Sequence, residues 1–248
     1  MKIIVFSNKK GGVGKTTSAL CFATALSTLS KKILCIDMDS QANFTAVSGG
    51  EKEVEGTFDF MKGESLNDVI QKNVCYDFIG ADKRLSKAEI AFDTIGRESI
   101  LRRAMTKVSG YDYCIIDTPP AMGILTLNAL TAADEVIICC QADAFSVQGL
   151  AEFRQNIEGI QQNYNTRLKV AGILMTRHNP RTTITKQLEK VFGQAARAMN
   201  TRVFNTAIRE NTAIKEAQAM KQNIFDYAPM SNGALDYMKF IKEYLGDL

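Results

Sequence analysis

Proline is scarce in this chain, four in 248 residues, and no Pro- or Ser-rich stretch reads as a linker. The segment SGGEKEVEG at 48–56 is too short to separate two domains. Histidine occurs once, at His178, and no C-x-x-C or Cys/His spacing accompanies it, so the sequence patterns of metal sites are missing. No apolar run reaches the roughly 18 to 20 residues of a membrane span. The opening run IIVF is interrupted by SNKKGG too early to form the core of a signal peptide. Internal repeats are missing as well. These absences lead to the expectation of a single domain over 1–248 in the cytoplasm. Cys21, Cys35, Cys114, Cys139 and Cys140 lie inside apolar runs, as buried reduced thiols do.

What is present is globular in composition, with 46% hydrophobic and 23% charged residues. The net charge of +3 is unevenly spread. Between Arg167 and Lys221 eleven Lys or Arg face three acids, a local +8 that leaves −5 for the rest. A basic segment in an otherwise acidic chain invites a polyanion as partner. Short β-branched runs alternate with helical patterns. Strands are expected at 2–7, 32–37, 76–81, 111–117, 135–141, 170–176 and 201–206. Apolar residues three or four apart mark helices in TSALCFATALSTLS and GLAEFRQNIEGIQQNY. Several strands are apolar throughout, as when helices cover both faces of a sheet. The fold class is therefore α/β, a doubly wound, mostly parallel sheet flanked by helices. Ligands of such sheets bind beyond the C-terminal strand ends, which places the chemistry after residues 7, 37 and 117.

The first of these stretches is KKGGVGKTTS, residues 9–18. A phosphate loop reads G-x-x-x-x-G-K-[ST]. Gly14, Lys15 and Thr16 fill its end, while Lys9 stands where the first glycine belongs. Gly11 and Gly12 are expected to supply the backbone freedom instead, so that N–H groups through Val13 and Gly14 curl around a β-phosphate. The helix opening at Lys15 points its positive end at the same anion. Lys15 is expected on β- and γ-phosphate oxygens, Thr16 on Mg2+, and the backbone and hydroxyl of Thr17 on the α-phosphate.

KGGVGKTT resembles the deviant Walker A motif of the ParA/MinD group of P-loop ATPases. The resemblance implies a role for the additional lysine: in the family, the residue matching Lys10 reaches across a dimer interface to the partner subunit's ATP. The charge balance makes this sensible. ATP carries about four negative charges, of which Mg2+ and Lys15 offset roughly three. Another cation is useful where charge gathers at the γ-phosphate during transfer. DMDSQANFT, residues 37–45, is similar to the family's D-x-D-P-Q-x-N-x-T stretch, with Ser40 in place of the proline. It implies that Asp39 positions the attacking water and that Asp37 supports the Mg2+ shell. YDYCIIDTPPAMG, residues 111–123, resembles a Walker B strand that delivers Asp117 to Mg2+. LSKAE, ADEVII, QADAFSVQGL and the segment IFDYAPMSNGALDYMKFIKEYL also resemble family segments, so the likeness covers nearly the whole chain. IREN at 208–211 departs from the family's common I-P-R-N. The adenine candidates are Arg177, Ile208 and Arg209.

Three members of the group compete. An iron-protein reductase needs a cysteine beside the dimer axis to ligate a shared cluster, and TPPAMGILTLN after Asp117 has none. A MinD-like membrane switch, the alternative reading, needs a basic amphipathic helix. ALDYMKFIKEYLGDL carries Leu235, Met238, Ile241 and Leu245 on one face, but its acids and terminal carboxylate outweigh Lys239 and Lys242. Anionic lipid would repel it, and an ordinary helix packed on the sheet is expected. The third reading is a ParA/Soj-type partition ATPase. Arg181, Arg197, Arg202, Lys215 and Lys221 are its candidate contacts to nonspecific double-stranded DNA. Because the chain opens on a strand, no helix-turn-helix for a specific operator is expected. The resemblance implies an ATP-dependent homodimer, nucleoid-associated and without membrane contact. A ParB-like centromere-binding protein would stimulate its hydrolysis to move a plasmid, chromosome or mobile element.

Overall fold

A computed structural model describes residues 1–51, 54–179 and 183–246. Among the expected DNA contacts, Arg181 lies outside the described residues. The strands are β1 (Lys2–Ser7), β2 (Ile33–Asp37), β3 (Ile70–Lys72), β4 (Asp77–Ile79), β5 (Tyr113–Asp117), β6 (Glu135–Gln141) and β7 (Lys169–Thr176). They form one seven-stranded sheet in the order β3-β4-β2-β5-β1-β6-β7. All neighbours pair parallel except β3 with β4.

Helices fill the crossovers. In the first half they are α1 (Lys15–Thr28), α2 (Asn43–Val47), α3 (Thr57–Lys62), α4 (Leu66–Val69), α5 (Ala88–Ala91) and α6 (Ile100–Met105). In the second half they are α7 (Ile124–Ala132), α8 (Ala144–Asn163), α9 (Thr183–Ala198), α10 (Thr212–Ala219), α11 (Ile224–Tyr227) and α12 (Asn232–Leu245). The central strands bury both faces. Val5, Leu34, Ile36 and Ile116 point into one apolar layer, which includes Phe153 and Phe192. Ile4, Phe6, Cys35 and Ile115 point into the other, with Phe22, Tyr237 and Phe240. Two dry faces explain why these strands show no polar alternation. All six cysteines are free thiols, with Cys75 alone half-buried.

Two local expectations fail, each for a visible reason. The run at 201–206 is not a strand; its ladder pairing with β7 is an isolated bridge between Ile173 and Val203, beside a Thr201 Oγ1 bond to Val170 O at 2.6 Å. The buried carboxylate of Glu243 accepts from the N–H groups of Asn205 at 2.7 Å and Thr206 at 2.8 Å. Donors that a ladder would need are thereby taken by a side chain. Conversely, β3 escapes a periodicity search because Ile-Gln-Lys is short, half-exposed and at the sheet edge.

The apolar face of α12 also differs from the expected one. Ala234, Tyr237, Phe240 and Ile241 are buried, whereas Leu235 stays 46% exposed. Phe22 of α1 packs against Phe240 and Tyr244 with ring centroids 5.7 and 5.1 Å apart. The helix spends its apolar face on α1, as expected of a packed helix. Among the described residues no helix is long and apolar enough to cross a membrane.

Candidate nucleotide-binding site

Register brings the phosphate-facing stretches together. β5 lies between β1 and β2, so Asp117 stands beside Phe6 on one side and directly opposite Asp37 on the other. The loop from β1 into α1 is pinned from several directions. Asn8, buried at its start, donates Nδ2 to Cys139 O at 2.6 Å and accepts from the Lys10 N–H at 3.1 Å. Thr176 at the end of β7 donates to Val13 O at 2.8 Å. The positive φ angles fall at Gly12 (73°) and Gly14 (79°), so the freedom expected of Gly11 belongs to Gly14. Gly14 also begins α1, with no side chain to cap it. The first helical bond runs from Ser18 N–H to Gly14 O at 2.9 Å. The N–H groups of Lys15, Thr16 and Thr17 are therefore left for an anion.

The polar side chains converge at this helix start. Lys15 is only 7% exposed and donates Nζ to Lys10 O at 3.1 Å. Burial lowers its pKa, opposed by the charge of Asp117. Thr16 donates Oγ1 to Asp117 Oδ2 at 2.6 Å. The other Asp117 oxygen, Oδ1, is buried with no hydrogen-bond partner among the described residues. Burial, then the neighbouring charge of Asp37, pushes the Asp117 carboxyl well above the usual carboxylate range. Asp37 itself is pushed up to about 6, by burial first, despite hydrogen bonds that favour its charged form.

Asp37 spends its oxygens on the following loop. Oδ1 accepts from the Asp39 N–H at 3.0 Å, and Oδ2 accepts from Thr45 N–H at 2.9 Å and Thr45 Oγ1 at 2.7 Å. Its backbone carbonyl accepts from Thr57 Oγ1 at 2.7 Å. The loop carrying Asp39 is thus stapled to the sheet through Asp37. The serine that replaces the family's proline leaves the turn closed by Ala42 N–H to Asp39 O at 2.8 Å. A cavity of about 520 Å3 results, in which Gly11, Gly12, Gly14, Lys15, Thr16, Thr17 and Asp39 share the wall with Gln41, Asn43, Pro120 and Gln218.

The residues present fit Mg2+. This ion takes oxygen ligands in octahedral array and is usually held by one or two carboxylates together with phosphate oxygens. An unpartnered Asp117 Oδ1 beside the Thr16 hydroxyl is such a donor set. Among the described residues no group of three acidic, histidine or cysteine side chains makes a self-sufficient metal site. The ion would depend on the nucleotide's phosphates.

Comparison with known proteins gives the family. The AAA domain family matches residues 1–170. Sporulation initiation inhibitor protein Soj of Bacillus subtilis (strain 168) is 36% identical over 249 residues, covering 98% of this chain and 97% of its own. Chromosome-partitioning ATPase Soj of Thermus thermophilus is 34% identical over 242 residues, covering 98% and 94%. The chain belongs to the ParA/Soj family of partition ATPases. A solved structure of cobyrinic acid a,c-diamide synthase from Mycobacterium smegmatis, with bound ADP and magnesium, superposes with a TM-score of 0.85 at 29% identity. That match covers 98% of this chain and 94% of the synthase.

Not every residue expected of a ParA/Soj ATPase site lies in the cavity. Arg177 pairs with Glu210 at 2.9 Å, and Arg209 is held bidentately by Asp236, with contacts of 2.7 and 2.9 Å. Ile208 is buried, its N–H bonded to Met175 O at 2.8 Å. These adenine candidates are not among the residues that line the phosphate cavity. Lys10 does not line it either; its ammonium pairs with Asp143 at the β6–α8 junction, as Lys9 pairs with Glu152 on α8. Arg197, Arg202, Lys215 and Lys221 are exposed. Arg202 stacks on the Phe204 ring at 4.8 Å, and Lys215 lies 3.7 Å from Glu210. Sequence reasoning missed Asn8, Thr176 and Gln218. Asn8 had a signal, since a polar residue at a buried strand end needs a partner. The other two are brought in only by long-range pairing.

Proposed function

We propose that residues 1–248 act as one ParA-type ATPase domain whose Mg-ATP-bound sandwich homodimer binds nonspecific double-stranded DNA. Hydrolysis, stimulated by a ParB-like centromere-binding partner, then releases it. The observation that carries this reading is the direction of Lys10. Its own phosphate cavity is served by Lys15, while Lys10 leaves the loop sideways toward Asp143. A cation held outside a site already provided with one is suited to a nucleotide in a second subunit.

In this mechanism Lys15 and the N–H groups at the start of α1 hold the β- and γ-phosphates, and Thr17 holds the α-phosphate. Thr16 and Asp117 would hold Mg2+, with Asp37 supporting them from behind. The ion, when bound, neutralises phosphate charge. Asp39, on its stapled loop, orients the attacking water. Lys10 exchanges Asp143 for the partner subunit's γ-phosphate, where a positive charge stabilises the charge that develops during transfer. The ATP-bound pair then presents Arg197, Arg202, Lys215 and Lys221 together with Arg181 as a basic surface. Support for the DNA role is the +8 segment and the likeness to the chromosome-partitioning ATPase Soj of Thermus thermophilus. The cargo is a plasmid, chromosome or mobile element, and the place of action the nucleoid.

Lys10→Ala is expected to bind ATP yet remain monomeric in light scattering and lose ATP-dependent retention on random-sequence DNA. An ATP-induced dimer of that variant would remove the cross-subunit role. For the native chain, retention on DNA should need ATP rather than ADP. It should weaken at least about 100-fold between roughly 50 and 200 mM salt, because phosphate contacts release counterions. Salt-insensitive retention would contradict the nonspecific-DNA reading, and a marked preference for liposomes over DNA would favour the membrane alternative.

A further inference from the structure

Gln218 reaches the phosphate loop from α10, 201 positions away in sequence from Thr17. Its Nε2 donates to Thr17 Oγ1 at 3.0 Å, and its side chain forms part of the cavity wall. The element that carries it is firmly held. Asn211 caps α10 by accepting from the Ala213 N–H at 2.8 Å. Ile214 and Ala217 are buried in the apolar layer that contains Phe22 and Tyr237. Gly233 comes so near that a Cβ there would lie 2.7 Å from Ile214. Little freedom is left for the helix to drift, so the amide is presented to Thr17 in a fixed place.

The direction of this hydrogen bond matters. A hydroxyl has one proton and two lone pairs. Once an amide N–H occupies a lone pair of Thr17 Oγ1, the hydroxyl proton is turned away from α10. The N–H groups at the start of α1 favour an anion nearby. Resting on the reading that Thr17 contacts the α-phosphate, we propose that Gln218 is a positioning residue for the nucleotide, fixing the Thr17 hydroxyl as a donor to α-phosphate oxygens. Because ATP and ADP share that phosphate, Gln218 sets the retention of both nucleotides and leaves phosphate cleavage to Asp39 and Lys15. The neutral amide suits the task, since a carboxylate of the same length would accept the hydroxyl proton and repel the phosphate.

The test is a fluorescence titration of the full chain with N-methylanthraniloyl ATP and ADP, with Mg2+. Gln218→Met keeps side-chain length and should weaken both nucleotides by about three- to tenfold, the range of one neutral hydrogen bond. KM for ATP should rise in proportion, with kcat changing less than about twofold. In a Thr17→Val background the same substitution should add nothing. Gln218→Glu should be weaker still at pH 8, with part of the loss returning near pH 5 as the carboxyl takes a proton. Native-like affinity of Gln218→Met, or an equal loss with and without the Thr17 hydroxyl, would overturn the proposal. Failure of the native chain to bind either nucleotide would instead overturn the underlying site reading, and the proposal with it.

Discussion

Asp39→Ala is expected to slow ATP turnover by at least about 100-fold while leaving ATP affinity within about threefold. A positioned side chain that handles the attacking water contributes roughly 10²- to 10⁴-fold. The same carboxylate has little part in holding the site together. Its carboxylate accepts from the Gln41 N–H at 3.0 Å, in an exposed turn. The loop itself is secured by Asp37, through Thr45 at 2.7 Å and the Asp39 N–H at 3.0 Å, and by Thr57. Lys15, Thr16 and the start of α1 stay as they are, so the phosphates should still be gripped. The variant should therefore accumulate as an ATP-bound dimer on DNA. Phosphate release under single-turnover conditions, paired with light scattering, measures both halves. Turnover within threefold of the native chain would exclude Asp39 as the water-positioning residue.

The contrast between Asp39 and its neighbours also shows what the sequence made legible. An apolar strand ending in an aspartate is a local pattern, and both Asp37 and Asp117 were readable from it. Their opposition across β2 and β5 follows from the sheet order, which such patterns do not contain. The α/β alternation was equally legible, because unbroken apolar strands require two covered faces. Where side chains compete with the ladder, periodicity misleads. Glu243 takes the backbone donors of Asn205 and Thr206 and turns a strand-like run into a loop. Partners 201 positions apart, such as Gln218 and Thr17, leave no trace in spacing. Nor does the pairing of Arg209 with Asp236, 27 positions apart.

Asp117→Asn should have two effects of opposite sign, a fall in turnover of at least about 100-fold and a rise in the stability of the metal-free protein at pH 8. The loss of activity follows from losing the carboxylate oxygen available to Mg2+. The gain follows from burial. In the metal-free protein Asp37 and Asp117 face each other on adjacent strands, both with carboxyl pKa values raised by burial first. An acid whose folded-state pKa exceeds its unfolded value binds its proton more tightly when folded. Stability from it is complete below the unfolded pKa, near 4, and declines as pH rises through the folded one. For Asp37, at about 6, that decline amounts to something on the order of 3 kcal/mol by neutral pH. Asp117, raised well above its usual range, adds to it as pH rises further. Asparagine removes one buried charge yet keeps an acceptor for the Thr16 hydroxyl. A gain of about 1 to 3 kcal/mol at pH 8 is expected, or a Tm higher by roughly 3 to 8 °C for a chain of this size. As pH falls, the raised Asp117 carboxyl takes up its proton and the buried charge goes, so the difference should be smaller at pH 5 than at pH 8. Calorimetry in chelator at both pH values reads this directly. An unchanged or lowered Tm at pH 8, or a gain just as large at pH 5, would mean that the paired carboxylates carry no electrostatic strain for the metal to relieve.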